Sequence, residues 1–323
     1  MHDLVSTAAG KKPSRGVSFF KPSKDLKARF LRYWPLYLFI LPSFIFVAIF
    51  NYGPMYGVQI AFRQFNPGLG ITNSPWVGLM HFRNFFGSFF FQRVLRNTFI
   101  LSFYSMIVGF PIPIIFALML NELRWAKFKK VVQTIMYAPH FISMVVFVGM
   151  LTMMFSPSIG VVNHIIETFG GERRHFMTMP SVFRHMFVWS GVWQGMGWSA
   201  IIYIAALSTV DPELHEAAII DGASRIRRMW HINIPCIMPT IIILLIMRLG
   251  SIANVNFERA LLMQNDLNLE VSDVIQTFVY QRGIIRGQFS FAAAVGLFNN
   301  LVNVTMLLIA NFIASKASEH SLF

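Results

Sequence analysis

One cysteine in 323 residues, Cys236, excludes an internal disulfide framework and a cysteine-based metal site within the chain. Acidic residues are scarce too, 14 against 27 Lys and Arg, and charged residues of all kinds make up only 13% of the chain. No Gly-x-x-x-x-Gly-Lys-Ser/Thr phosphate loop is present, so the chain lacks the usual cradle for ATP, and its histidines lack a His-Glu-x-x-His spacing for zinc. No nucleophile, acid–base pair or metal cluster stands out as a membrane enzyme would require. No small-residue cleavage site follows a short apolar stretch near the start, so the basic N-terminal segment is expected to stay attached.

What fills the chain instead is apolar: 55% of the residues, including 34 Phe. So little polar surface cannot coat a water-soluble globule of this size, and the apolar residues must face lipid. They fall into runs near the ~20 residues that a helix needs to cross a hydrocarbon layer. The runs cover residues 34–50 (continuing through Asn51-Tyr52-Gly53-Pro54 towards Phe62), 97–120, 131–155, 185–207, 237–255 and 291–313. The expected architecture is therefore all-α and integral to the membrane, with about six transmembrane helices. Residues 1–32 form a basic tail, 33–323 a transmembrane domain, and 208–236 a long connecting loop within it.

An even number of spans puts both termini on one side. With the N-terminus inside, the inner segments carry the basic tail, Arg124, Lys127, Lys129, Lys130, Arg225, Arg227, Arg228 and Lys316. These outnumber the Lys and Arg of the outer segments, so the positive-inside rule places both termini in the cytoplasm. Topology thus accounts for the net charge of +13 without nucleic acid, for which no binding module is visible. Residues 76–97, with Phe82, Phe85, Phe86 and Phe89 among arginines, read as a helix in the membrane interface. No pair of interrupted spans is obvious, which disfavours an inverted-repeat secondary transporter.

The loop between the fourth and fifth runs reads Asp211-Pro212-Glu213-Leu214-His215-Glu216-Ala217-Ala218-Ile219-Ile220-Asp221-Gly222-Ala223, then continues to Ile234-Pro235. Asp211 before Pro212 is a helix N-cap with Pro at the first helical position, and Gly222 marks the helix end or a sharp turn. The second short segment, residues 224–231, is basic and amphipathic. Small Ala217 and Ala218 permit close approach to a partner, while Glu216 and Arg225, Arg227 and Arg228 offer charged contacts.

This string resembles the EAA motif of ABC import permeases: Glu216-Ala217-Ala218, then Gly222, Ile232 and Ile234-Pro235, with Ile234 where Leu is usual. Segments Trp76-Val77-Gly78-Leu79, Asn256-Phe257-Glu258, Val271-Ser272-Asp273-Val274-Ile275 and the stretch from Gly287-Gln288-Phe289-Ser290 to Asn299 extend the resemblance to the carbohydrate permeases. Within these, the chain is similar to the first permease subunit of bacterial alginate-oligosaccharide importers. The resemblance implies a type I importer permease in the bacterial inner membrane, moving an acidic oligosaccharide by alternating access. It implies that the loop is a coupling helix acting through Glu216, Ala217, Ala218, Asp221, Gly222, Arg225 and Pro235. The implied partners are a second homologous permease, a dimer of ATPase subunits that holds ATP and Mg, and a periplasmic solute-binding protein. The chain itself would then be no enzyme.

Polar groups within spans mark candidate path residues. They are Arg248, Asn254 and Asn256 around the fifth run, Asn299 and Asn303 one helical turn apart in the sixth, and Gln194 with Trp193 and Trp198 in the fourth. Amides and aromatic faces suit a sugar, and a guanidinium suits a carboxylated one. The same amides also serve as glue between membrane helices, Arg248 equally suits a salt bridge, and tryptophans commonly sit at the lipid interface. The alternative to an ATP-driven permease is an ion-coupled secondary transporter, which needs carboxylates inside its spans; none of the six apolar cores holds an Asp or Glu.

Overall fold

The computed structural model describes residues 26–317. The basic tail lies outside the described residues up to position 25. From Leu26 the backbone is already helical, in a helix Leu26–Val47 that runs through Pro35 and Pro42. Among the described residues there is no β-strand, only two isolated bridges, Arg63 to Trp76 and Asn66 to Gly70. The chain divides into two compact units at residue 57.

In the first unit the helix Leu26–Val47 passes into a wider turn, Ala48–Tyr52, and nearly all its described side chains are exposed. The second unit is built around the 28-residue helix Pro180–Leu207, called the central helix below. Pro180 starts it at a position where the missing N–H has no intrahelical partner to lose. Packed on it are Phe89–Gly109, Pro111–Asn121, Ala126–Tyr137 and Ile234–Leu249, and the last of these also packs on the C-terminal helix Phe289–Ala317. At Gly197 the central helix approaches the Met136 backbone so closely that a Cβ would collide with the Met136 carbonyl oxygen. Small residues at such crossings let membrane helices pack backbone to backbone, where lipid tails give apolar side chains little reason to leave them.

Among the described residues, four helical courses are long and apolar enough to cross a membrane: Tyr33–Phe62, Phe89–Asn121, Arg225–Leu249 and Phe289–Lys316. The central helix has the length but is diluted by Ser190, Gln194 and Ser199.

Three expectations about these segments need correction. The run 131–155 is not one straight span: Ala126–Phe141 and Met144–Met154 meet at a 101° bend. Pro139 cannot donate to the ladder, Ile142 and Ser143 are extended, and the Ser143 hydroxyl accepts from Val146 N at 3.4 Å to start the second helix. The fifth helical course begins earlier, at Arg225, and ends at Leu249 rather than 255. Beyond it the Ala253 amide donates to Asn303 Oδ1 at 2.9 Å, which holds the chain in a turn. Finally, residues 76–97 are not one interfacial helix. A short helix Met80–Phe86 stops at Gly87, and Phe89 opens the long helix.

The phenylalanines of that last region are core as much as belt. Phe85 is fully buried among Val94, Ile275, Phe278 and Val295, and meets Phe91 edge-on at 5.1 Å and Phe298 at 5.7 Å. Such edge-to-face pairs add ~0.5–1.5 kcal/mol each beyond the burial of their area. A polar layer locks the neighbouring loops. Arg93 pairs with Asp273 at 2.9 Å, and Asn97 donates to the carbonyls of Glu270 and Asp273 at 2.7 and 3.2 Å.

Candidate functional site

Two places in the second unit have the makings of a site. The first is the helix Pro212–Ile220. Asp211 Oδ1 accepts from Glu213 N at 2.9 Å, Pro212 occupies the first helical position, and Glu213 lies in the positive first turn. Gly222 closes the helix at φ +73°, with Gly222 N donating to Ile219 O at 3.0 Å and Ala223 N to Ala218 O at 2.8 Å. This is the left-handed termination that glycine adopts without steric cost. Ser224 then caps the next turn through Arg227 N at 3.4 Å, and the helix runs on from Arg225 past Pro235 to Leu249.

No residue of Pro212–Ile220 is buried. Glu216, Ala217, Asp221, Gly222 and Arg225 are exposed, as are the large apolar side chains of Leu214, Ile219, Ile220, Ile226 and Trp230. A helix of nine residues is too short to be stable alone in water, and here it leaves Leu214, Ile219 and Ile220 exposed. It is well capped at both ends and presents its side chains outward, which is the form of a docking element.

The second place lies along the central helix. A cavity of about 580 Å³ is lined by Ser105, Gly191, Trp198, Tyr203, Arg248 and Arg259 among others. A second of about 270 Å³ is lined by Ser105, Phe187, Ser251, Asn254, Asn256 and the same two arginines. Ser105, Arg248 and Arg259 thus border both.

The eight candidate path residues fall into two groups. Trp198, Arg248, Asn254 and Asn256 line one or both cavities. Gln194, Trp193, Asn299 and Asn303 line neither and are engaged in packing. Gln194 Nε2 donates to Ile142 O at 3.3 Å, tying the central helix to the 101° bend, and Trp193 stacks on Phe147 at 5.7 Å. Asn299 and Asn303, both 6% exposed, donate to Asn254 Oδ1 at 2.9 and 3.1 Å. Gln276 Nε2 donates to Ala253 O at 2.6 Å and to Asn254 Oδ1 at 3.2 Å. The amides therefore pin the turn after Leu249 to the C-terminal helix and to the helix Ile275–Tyr280. Trp198 itself lies flat on His140, 4.5 Å away and 4° from parallel.

Arg259 is the residue that sequence reasoning passed over. It lies outside every apolar run and counted only as an outer-segment charge, while the structure folds its short helix Phe257–Met263 back against the central helix. Asn256 caps that helix by accepting from Arg259 N at 3.0 Å. The available signal was Asn256 itself: an Asn with Glu258 in the turn that follows is an N-cap pattern, which starts a helix there and carries Arg259 in its first turn.

Both places can be set beside known proteins. The family described as "Binding-protein-dependent transport system inner membrane component" matches residues 109–319. The protein LplB of Bacillus subtilis (strain 168) is 45% identical over 288 residues, covering 89% of this chain and 91% of that protein. The polygalacturonan/rhamnogalacturonan transport system permease protein YteP of the same organism is 40% identical, covering 99% of this chain and all of that one. A crystal structure of a bacterial alginate ABC transporter, in complex with an alginate pentasaccharide-bound periplasmic protein, contains a chain with a TM-score of 0.85 and 38% identity. The match covers 93% of this chain and 100% of that chain.

Proposed function

Because this chain belongs to the family of binding-protein-dependent transport system inner membrane components, we propose that it is one permease subunit of an ATP-driven importer for acidic oligosaccharides, working by alternating access. The observation that carries the coupling half of this reading is the helix Pro212–Ile220, capped at both ends and unburied along its whole length. Glu216, Ala217, Ala218, Asp221, Gly222, Arg225 and Pro235 form or follow this element. A partner ATPase that grips it moves the long helix Arg225–Leu249 to which it is joined, since that helix continues into the wall of both cavities at Arg248. ATP and Mg²⁺ belong to the ATPase dimer, and the chain contributes mechanical linkage. Its remaining proposed partners are a second permease and a periplasmic binding protein; the alginate transporter structure is likewise in complex with a periplasmic protein.

The substrate half rests on the relatives. One transports polygalacturonan and rhamnogalacturonan, the other system imports the acidic polysaccharide alginate, and the uronic acid units of both cargos carry carboxylates. Six spans with both termini cytoplasmic, a basic tail at 1–32, a permease domain at 33–323 and a coupling loop at 208–236 complete the proposed arrangement.

The test is ATP hydrolysis by the assembled complex of two permeases and two ATPases, stimulated by binding protein loaded with uronate oligosaccharides or with neutral ones. Selective stimulation by the uronate-loaded protein is expected. Equal stimulation by neutral oligosaccharides overturns the substrate, and no stimulation by any loaded binding protein overturns the importer reading.

A further inference from the structure

Arg259 is held in an unusual way for a cation at this depth in a helical bundle. Its guanidinium crosses the central helix at Gly191, so closely that a Cβ there would collide with Arg259 Nη1. Its Cζ lies 4.5 Å from the Phe187 ring centroid, a cation–π distance. The Nε and Nη1 atoms are sealed from solvent and have no hydrogen-bond partner. Among the described residues the ion pairs are Arg93–Asp273, Arg173–Glu167 and His164–Glu167, so neither Arg259 nor Arg248 is neutralised by an acid. Two cations border the same two cavities with no anion between them.

A largely buried guanidinium beside a second like charge, with no acid paired to either, is costly unless something negative comes close. The larger cavity is within the size range of small-molecule sites, and its wall adds the Trp198 face and the Ser105 and Tyr203 side chains. The smaller one adds the Asn254 amide, whose oxygen is already occupied by Asn299 and Asn303.

We infer that Arg259, fixed by Gly191, Phe187 and the Asn256 cap and assisted by Arg248, forms a carboxylate-binding subsite for the uronate units of the cargo. The inference rests on the acidic-oligosaccharide reading for the identity of the ligand, while the anion site itself stands on geometry alone. With Nε and Nη1 sealed, Nη2 is the guanidinium nitrogen left to give a carboxylate a charge-assisted N–H···O bond, which a neutral hydroxymethyl group matches only weakly. Gly191 is a positioning residue: it makes the room in which the guanidinium lies flat against the helix.

The single cysteine of this chain lets one introduced thiol be followed on this subunit, separated from its partners after labelling. In the assembled complex carrying Cys236→Ser and Ser105→Cys, the introduced thiol opens on both cavities. Its reaction rate is measured with an anionic sulfonatoethyl and a cationic trimethylammonioethyl methanethiosulfonate. Arg259→Gln is expected to lower the anionic-to-cationic rate ratio by about tenfold, the order of one charge-assisted contact. Gly191→Ala, which keeps the charge but displaces it, is expected to lower the ratio in the same direction. A tetramer of galacturonate is expected to slow the reaction, its carboxyl-reduced counterpart is not, and Arg259→Gln is expected to abolish the protection.

A rate ratio unchanged within about twofold in Arg259→Gln overturns the anion site. Equal protection by the acidic and reduced tetramers overturns carboxylate recognition. Loss of the second permease from the purified Arg259→Gln complex overturns it as well, since Arg259 would then serve an ion pair between subunits. Uptake of the galacturonate tetramer by the unaltered complex is measured alongside. Failure there, with the rate ratio still sensitive to Arg259, refutes the acidic-cargo reading and leaves the anion site standing.

Discussion

Gly197 lies against the carbonyl of Met136 with no room for a side chain, so that the central helix and the helix Ala126–Tyr137 touch backbone to backbone. The carbonyl cannot move aside without disturbing its helix. Gly197→Ala is therefore expected to destabilise the folded permease by about 2 kcal/mol, the usual cost of overpacking a close contact. Thermal unfolding of the purified complex in detergent checks it. Gly195, two residues away with nothing near its Cβ position, is the control: Gly195→Ala is expected to be neutral.

Asn303 is expected to be a stability residue first. Its Oδ1 accepts from Ala253 N and its Nδ2 donates to Asn254. Asn303→Leu leaves a buried backbone amide without a partner, at a cost of ~1–3 kcal/mol. The expected result is a lower unfolding temperature with unchanged preference among sugars. A changed preference with unchanged stability would place Asn303 on the path.

Gly222 tests the proposed coupling role of the turn after Ile220. Its φ of +73° strains any branched side chain, yet a Cβ there would meet nothing. Conformation alone decides the outcome. Gly222→Val is expected to weaken binding-protein-stimulated ATP hydrolysis at least about tenfold, and Gly222→Asn, which enters the left-handed region more readily, only slightly. Equal loss in both variants would point to a side-chain clash with the ATPase instead.

Asp273 lies outside the membrane-crossing helices, and burial pushes its carboxyl above the usual value while the Arg93 hydrogen bond and charge pull it down. Arg93→Gln removes the opposing charge and raises it further. A folded-state value above the unfolded one means stability that is complete below the unfolded value and lost as pH rises through the folded one. The variant's deficit is thus expected to be small near pH 4 and to widen to about 3 kcal/mol at neutral pH, the scale of an uncompensated buried charge. Unfolding temperatures of wild type and variant across that range decide it.

The capped helix Pro212–Ile220 was legible residue by residue because its signals are local: Asp211-Pro212 sets the cap, Gly222 the stop, Ser224 the next start. Apolar composition likewise announced a helical membrane protein. The candidate path residues were less legible, because an amide in a span reads the same whether it faces a cavity or another helix. Asn254 and Asn303 are separated by 49 positions and meet only in the fold. The bend after Phe141 was hidden because the apolar run continues unbroken across it, and only Pro139 and Ser143 hinted at the break. Arg259 was hidden for the opposite reason: it sits in a polar stretch that the fold carries back against the central helix.

The most direct test of the importer reading is uptake of a labelled galacturonate tetramer into proteoliposomes. One set carries the two permeases, the ATPase dimer and loaded binding protein. The other carries the permeases alone under an imposed proton or sodium gradient. Uptake that requires ATP and the ATPase, and does not respond to either gradient, is the expected result. Gradient-driven uptake without the ATPase would contradict it and make the protein an ion-coupled secondary transporter.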